Sequence, residues 1–134
     1  MSARVALSLP GLAFLLLVAC GGGRMAEIQR VKSGSIDVVL LSSRDAIKHG
    51  QDSFVIEFRR PDGPLVDVGD VKASATMPMP GAPMFGSLEV KKSGAAGRYD
   101  VDAKFDMAGT WRTTIEWQCG PDGPGSVVLS GTVQ

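Results

Sequence analysis

The chain has 134 residues, in which 14 basic and 14 acidic side chains balance, and it contains a single histidine. This length suits one domain with one hydrophobic core and is too short for two. A chain without net charge has no basic surface of the size that holds a phosphate backbone, so we expect no nucleic-acid partner.

The first 20 residues have the parts of a lipoprotein signal peptide. Arg4 gives a positive start, and residues 12–18 form an apolar core shorter than the roughly 20 residues that span a membrane. Leu17-Val18-Ala19-Cys20 matches a lipobox, in which the peptidase cuts before a cysteine that carries diacylglycerol. The alternative is an ordinary signal peptide with an incidental Cys20. We expect residues 1–19 to be the signal peptide and lipid on Cys20 to anchor the protein to a membrane.

A short tether and one domain are predicted after the signal peptide. We expect residues 20–27 to be the lipidated cysteine and its tether, in which Gly21-Gly22-Gly23 is flexible, and residues 28–134 to form the domain. Gly21 is not the acidic residue that retains lipoproteins in the inner membrane of Gram-negative cells. The periplasmic face of the outer membrane is therefore favoured in such a cell, and the cell surface in others. If Cys20 carries lipid, Cys119 has no second cysteine with which to form a disulfide, so a disulfide framework is excluded.

Short runs of alternating apolar and polar residues, separated by glycine and proline, predict β-strands in the domain. The predicted strands are residues 35–41, 54–60, 71–77, 87–91, 98–105, 110–118 and 127–133. The segments 61–64 (PDGP) and 120–125 (GPDGPG) combine proline and glycine in the manner of tight turns. Only residues 44–50 could hold a helical turn. About seven strands predict an all-β, immunoglobulin-like β-sandwich.

The segment 76–86 contains three of the five methionines that follow the signal peptide, interleaved with three prolines. Proline has no N–H to donate, so this segment cannot be a central strand. In an extended chain Met77 and Met79 would project to the same side, and Met84 could return to them across the bend at Gly81. Thioether sulfur is a soft ligand that suits Cu(I), so these three methionines are candidate copper ligands.

Two other interpretations of the methionines stay open. Methionine is a flexible filler, and the segment could plug an open end of the sandwich. It could also be a soft apolar surface that contacts another protein. His49 and Cys119 are two further ligand candidates. The alternative interpretation of His49 is a solvated turn residue, and that of Cys119 is a small buried hydrophobic residue.

Catalysis lacks its usual parts in this sequence. There is one histidine and no nucleophile elbow, HExxH motif or Walker loop. Trp111 and Trp117 lie on one face of a predicted strand and are expected in the core. Asp100 and Asp102, flanked by Arg98 and Lys104, occupy alternate outward positions and are expected on a solvated face. We therefore expect a protein that is not an enzyme, with no catalytic residue and no small-molecule substrate.

The order of several short motifs resembles that of YtkA-like domains, which are small β-sandwich modules related to FixH-type proteins. The motifs are Gly50 before Phe54-Val55-Ile56, Pro61-Asp62-Gly63-Pro64-Leu65-Val66, Met77-Pro78-Met79, Gly97-Arg98-Tyr99 and Met107-Ala108-Gly109-Thr110-Trp111, which together cover residues 49–117. The resemblance implies a periplasmic or cell-surface module of a kind often associated with copper handling through methionines and histidines. In this chain no histidine lies near Met77, Met79 or Met84 in the sequence.

The leading hypothesis is a lipid-anchored domain that binds or carries Cu(I) through Met77, Met79 and Met84, with Cys119 and His49 as outside candidates. Its partner would be a copper-handling or efflux protein. The alternative is a structural or adaptor lipoprotein without metal, which contacts an efflux or membrane-assembly partner through the same methionine- and proline-rich segment.

Overall fold

The structure is a computed structural model that describes residues 25–134. It contains eight strands in chain order: β1 (Ala26–Ser33), β2 (Ile36–Ser42), β3 (Gly50–Arg59), β4 (Val71–Met77), β5 (Met84–Lys92), β6 (Arg98–Phe105), β7 (Gly109–Trp117) and β8 (Gly125–Val133). Among these residues no helix is long and apolar enough to cross a membrane. The predicted signal peptide and the predicted lipidation site at Cys20 lie outside the described residues.

The strands form one antiparallel sheet that folds over into two layers, in the order β1-β2-β3-β6-β5-β4-β7-β8. Strand β5 joins the layers, because its first residues pair with β4 and its later residues pair with β6. Gly86 lies at this corner, where an added Cβ would stand 3.2 Å from the ring of Phe105 and 3.3 Å from Ala75. The missing side chain of Gly86 therefore lets the two layers meet closely.

The core is built by the alternating apolar positions that the sequence pattern predicts. In β6 and β7 every second residue is buried, including Tyr99, Phe105, Trp111 and Trp117. Aromatic rings pack edge to face across the layers, with centroids 5.0 Å apart for Phe105 and Trp111 and 5.3 Å apart for Phe58 and Trp117. The predicted all-β sandwich is confirmed, and it has one strand more than the pattern indicates.

The additional strand is β1, which begins at Ala26, inside the segment predicted to be tether. Its residues are largely polar because it lies at the edge of the sheet and pairs only with β2. Arg30 lies 2.8 Å from Asp37, a buried carboxylate on β2. A buried carboxylate is costly unless a cation or hydrogen bond compensates it, so this ion pair helps β1 to dock. The helical turn that seemed possible at 44–50 is absent, and Ile47 instead forms a parallel bridge with Val133.

The connections between strands gather at two ends of the sandwich. The hairpin end comprises the β4–β5 connection (78–83), the β6–β7 turn (106–108), the loop 43–49 and the start of β1. The acidic end comprises the turns 60–70, 93–97 and 118–124, and four aspartates lie there: Asp62, Asp67, Asp70 and Asp122. The candidate ligands are divided between these two ends.

Candidate functional site

Met77 and Met84 face each other at the hairpin end. They are direct partners across β4 and β5, so their side chains lie on the same, inner face of the sheet. Met77 is only 7% exposed and belongs to the core. Its methyl carbon packs so closely over Gly109 that an added Cβ there would stand 2.6 Å away. Met84 is half-buried against the same core. The structure therefore brings these two residues together at the rim of the interior.

Met79 has a different environment, although it lies only two residues beyond Met77. Strand β4 ends at Met77, and Pro78 and Pro80 carry the chain out of the sheet, so the alternation that would have kept the two side chains together is lost. Met79 is 42% exposed. The predicted trio thus consists of one buried, one half-buried and one exposed thioether.

Met107 also belongs to the hairpin end. It is 40% exposed, and its carbonyl oxygen accepts a hydrogen bond of 3.0 Å from the indole N–H of Trp111. Two residues further on, Gly109 contacts Met77. The β6–β7 turn therefore places a fourth methionine at the same end of the sandwich as the predicted three.

His49 lies at the hairpin end, immediately before β3, and is exposed. Its ring Nδ1 is 2.9 Å from the carbonyl oxygen of Gln134, which also accepts the backbone N–H of His49 at 2.6 Å. Because a carbonyl oxygen only accepts, this contact assigns the proton of a neutral ring to Nδ1 and leaves the lone pair on Nε2. Strand β6 separates β3 from the methionine-bearing β5 in the sheet.

Cys119 lies at the acidic end and does not join the methionines. Its backbone N–H donates to the carbonyl of Val68 at 2.9 Å, and its sulfur is close to Gly69. Val68 and Gly69 precede β4, whose far end is Met77, so about 25 Å of extended chain separates the two places. The thiol is exposed, unlike the buried hydrophobe considered as an alternative from the sequence.

The β4–β5 hairpin at this end is an electrically neutral segment. Residues 73–88 contain no charged side chain. Within residues 25–134, no three side chains of histidine, cysteine, aspartate or glutamate are grouped so that they could hold a metal ion. The soft ligands at this end are therefore the thioethers and the single imidazole.

A separate cavity of about 220 Å³ opens between β1 and β8, the two edge strands of the sheet. Apolar side chains line it, among them Leu40, Trp111 and Leu129. The amide of Gln29 crosses the seam and donates to the carbonyl of Ser130 at 3.1 Å. Ile47 and Gln134 also line this cavity, so it opens close to the loop that carries His49.

Phe85 is the residue of this region that sequence reasoning missed. It is 69% exposed, an unusual position for an aromatic ring next to a strand end. The alternation of side chains along a strand could have predicted this exposure, because a strand that points Met84 inward points Phe85 outward. The sequence pattern placed the start of this strand at residue 87, so Phe85 was counted with the proline-rich segment 76–86.

A sequence model of the YtkA-like family matches residues 30–116, which is more than half of the chain. The chain belongs to the YtkA-like family. No similar curated protein and no similar solved structure was found. The YtkA-like match runs from β1 to β7, so it includes His49 and the methionines of the hairpin end, and it ends before Cys119.

Proposed function

We propose that this YtkA-like protein is a lipid-anchored, extracytoplasmic carrier of Cu(I), which it binds at the hairpin end through Met77, Met84 and Met79. The observation that carries this proposal is the direct cross-strand pairing of Met77 with Met84. Such partners have Cβ atoms about 5 Å apart, and three rotatable bonds in each side chain let both sulfurs turn toward one ion. Met79 supplies the solvent-accessible third ligand.

The burial of Met77 sets the character of the proposed site. To bind an ion, its thioether must rotate away from Gly109, which costs packing energy and weakens binding. Thioethers are neutral and soft, so copper displaces no proton and each ligand is weak by itself. A weak site whose outermost ligand is exposed suits transfer more than storage. Met107 and the Nε2 atom of His49 are outside candidates at the same end, whereas Cys119 is too remote.

Membership of the YtkA-like family and the lipobox at Cys20 support the extracytoplasmic, membrane-anchored part of the proposal. In this function the domain binds and passes on an ion without chemical conversion. A copper-handling or efflux protein in the same membrane system is the proposed recipient.

Competition for Cu(I) against a chromophoric chelator tests the copper site. We expect Met84→Leu and Met77→Leu, which keep the side-chain volume and remove the sulfur, each to weaken Cu(I) binding by about tenfold or more. The control is Cys119→Ser, which removes an exposed sulfur at the opposite end of the domain. Affinity that is the same in all three variants and the wild type would remove these thioethers from any site.

The exposure of Met79 and Phe85 favours a second candidate function, that of an adaptor without metal. In this function the apolar hairpin contacts a defined efflux or membrane-assembly component. The adaptor function would be supported if the protein bound that component in metal-free buffer and Met79→Asp abolished the binding. Binding that requires Cu(I) would instead support the carrier.

A further inference from the structure

The tip of the β4–β5 hairpin (residues 78–85) is an exposed apolar surface that the proposed copper site does not explain. Phe85 is its most exposed large side chain, and Met79 and the neighbouring Met107 are exposed beside it. Single exposed apolar residues are common, but several at one end of a small domain mark a contact surface. Because no charged side chain lies between residues 73 and 88, this surface suits an apolar partner.

The described chain starts at the same end of the molecule. Gln29 of β1 bonds to Ser130 of β8, and the two strands run in opposite directions, so Ala26 lies near the level of Val133. Val133 pairs with Gly109, which contacts Met77. The segment that leads to Cys20 therefore leaves the domain on the side where the hairpin tip projects.

The remaining chain is short. Four residues lie between Cys20 and Met25, so the anchor lies within about 18 Å of the first described residue even if the chain is fully extended. Across the seam, where Gln29 bonds to Ser130, only β8 and β7 lie between β1 and β4. A bilayer that holds the lipid of Cys20 is thus within reach of the hairpin tip.

We propose that the hairpin tip rests in the interfacial layer of the bilayer that carries the lipid anchor, so that the domain stands on the membrane with its acidic end pointing away. This inference depends on the lipid anchoring in the proposed function and is independent of copper. It assigns Phe85 to the outer edge of the acyl region.

The chemistry of the tip fits a lipid surface. Entry into an apolar layer is costly for backbone N–H groups that lack a hydrogen-bond acceptor. Pro78, Pro80 and Pro83 have no N–H group and so avoid this cost. On the outer face of the sheet, Arg112 pairs opposite Thr76, and Lys104 pairs opposite Ser87. These two cations lie behind the tip, where lipid phosphates would meet them.

The depth of insertion is limited by a charge on the same end. Asp106 is exposed in the turn beside Met107. A carboxylate stays in the aqueous headgroup region, so the tip enters the interface without crossing into the bilayer centre.

Quenching by nitroxide-labelled lipids tests this orientation in the full lipoprotein, reconstituted in phosphatidylethanolamine and phosphatidylglycerol vesicles. One sample carries a fluorophore on the native Cys119, and the other carries it on Ala82→Cys in a Cys119→Ser background. We expect quenching at position 82 to be several times that at position 119. Equal quenching at the two positions would overturn the proposal.

Two further variants separate contact with lipid from mere proximity. In the labelled Ala82→Cys chain, Phe85→Ser should reduce the quenching at least twofold. Val128→Ser, which removes an apolar side chain that is also exposed but lies on β8, should leave it unchanged. Equal effects of the two variants would count against a specific role of the tip.

Mass spectrometry of the reconstituted protein distinguishes the two proposals. An unmodified Cys20 would overturn both the anchor and this inference. Lipid on Cys20 without preferential quenching at position 82 would overturn the inference alone and leave the tip free for a protein partner. Cu(I) affinity measured on the same Phe85→Ser chain should equal that of the wild type, because Phe85 is not a ligand.

Discussion

The two ends of this sandwich are closed by different interactions. At the acidic end, backbone hydrogen bonds and polar side chains hold the turns: Arg60 donates to Pro64, Cys119 donates to Val68, and the hydroxyl of Tyr99 donates to Gly69. At the hairpin end, backbone hydrogen bonds between the loop 43–49 and Gln134 hold one side, but the β4–β5 connection is rich in proline and methionine packing closes the interior there. Hydrogen bonds fix one conformation, whereas thioether packing tolerates rearrangement. The comparison places adaptable contacts at the hairpin end.

Glycine substitutions give the largest expected contrast between the ends. Gly97 and Gly81 both have positive φ, of 86° and 96°, but an added Cβ at Gly97 would stand 2.5 Å from the carbonyl oxygen of Val66, and Gly81 has open space. We expect Gly97→Ala to lower the free energy of unfolding by about 3–5 kcal/mol and Gly81→Ala by about 1 kcal/mol, since only the first adds a clash to the backbone strain. Urea denaturation measures both, and similar losses would contradict the comparison.

Within the hairpin end, Met77 and Met79 should differ strongly. Met77→Ala opens a cavity in the core and should cost about 2–4 kcal/mol of unfolding free energy in metal-free buffer. Met79→Ala trims an exposed side chain and should cost less than about 0.5 kcal/mol. Denaturant midpoints at constant m-value measure the difference. A loss at Met79 as large as that at Met77 would show that the exposed methionine is part of the packed interior.

The smallest expected effect is a pH dependence at the acidic end. Hydrogen bonds from the backbone N–H and hydroxyl of Ser35, both 2.8 Å long, hold the pKa of Asp122 below its ordinary value. Because the pKa of Asp122 is lower in the folded state, the ionised carboxylate stabilises the fold. This stabilisation is fully present above the unfolded-state pKa of about 3.9 and is lost as the pH falls through the folded-state pKa.

Asp122→Asn should therefore be less stable than the wild type at neutral pH, and the gap should narrow at about pH 3. Denaturation midpoints at the two pH values test this. The control is Asp62→Asn in the neighbouring turn, for which the described residues provide no side-chain hydrogen bond. A gap that stays constant with pH would mean that the charge of Asp122 does not contribute.

Much of the fold could be predicted from the sequence, because inward residues repeat with period two. The predicted bounds of β4 and β6 agree with the structure. Strand β1 was missed since its stability comes from pairing with β2 and from the Arg30–Asp37 ion pair, which alternation of apolar residues does not reveal.

The candidate site was less predictable because it depends on pairing between strands. The sequence places Met77 at the end of a strand, but only the β4–β5 register brings it opposite Met84 and inside the core. Likewise, Cys119 appeared able to join the methionines until the direction of β7 placed it at the other end. The topology of the sheet decides which strand ends lie together, and the local amino-acid composition says little about it.

The edge position of β1 has a mechanical consequence for an anchored chain. In the proposed lipid-anchored form, a pull from the membrane through Cys20 would reach the described domain at Ala26, the first residue of β1. The β1–β2 ladder extends along the strand from Ala26 opposite Ser42 to Ser33 opposite Ile36, so a force directed along the strand loads its hydrogen bonds together in shear instead of one by one. The strand least visible in the sequence would thus transmit tension between the lipid and the folded body.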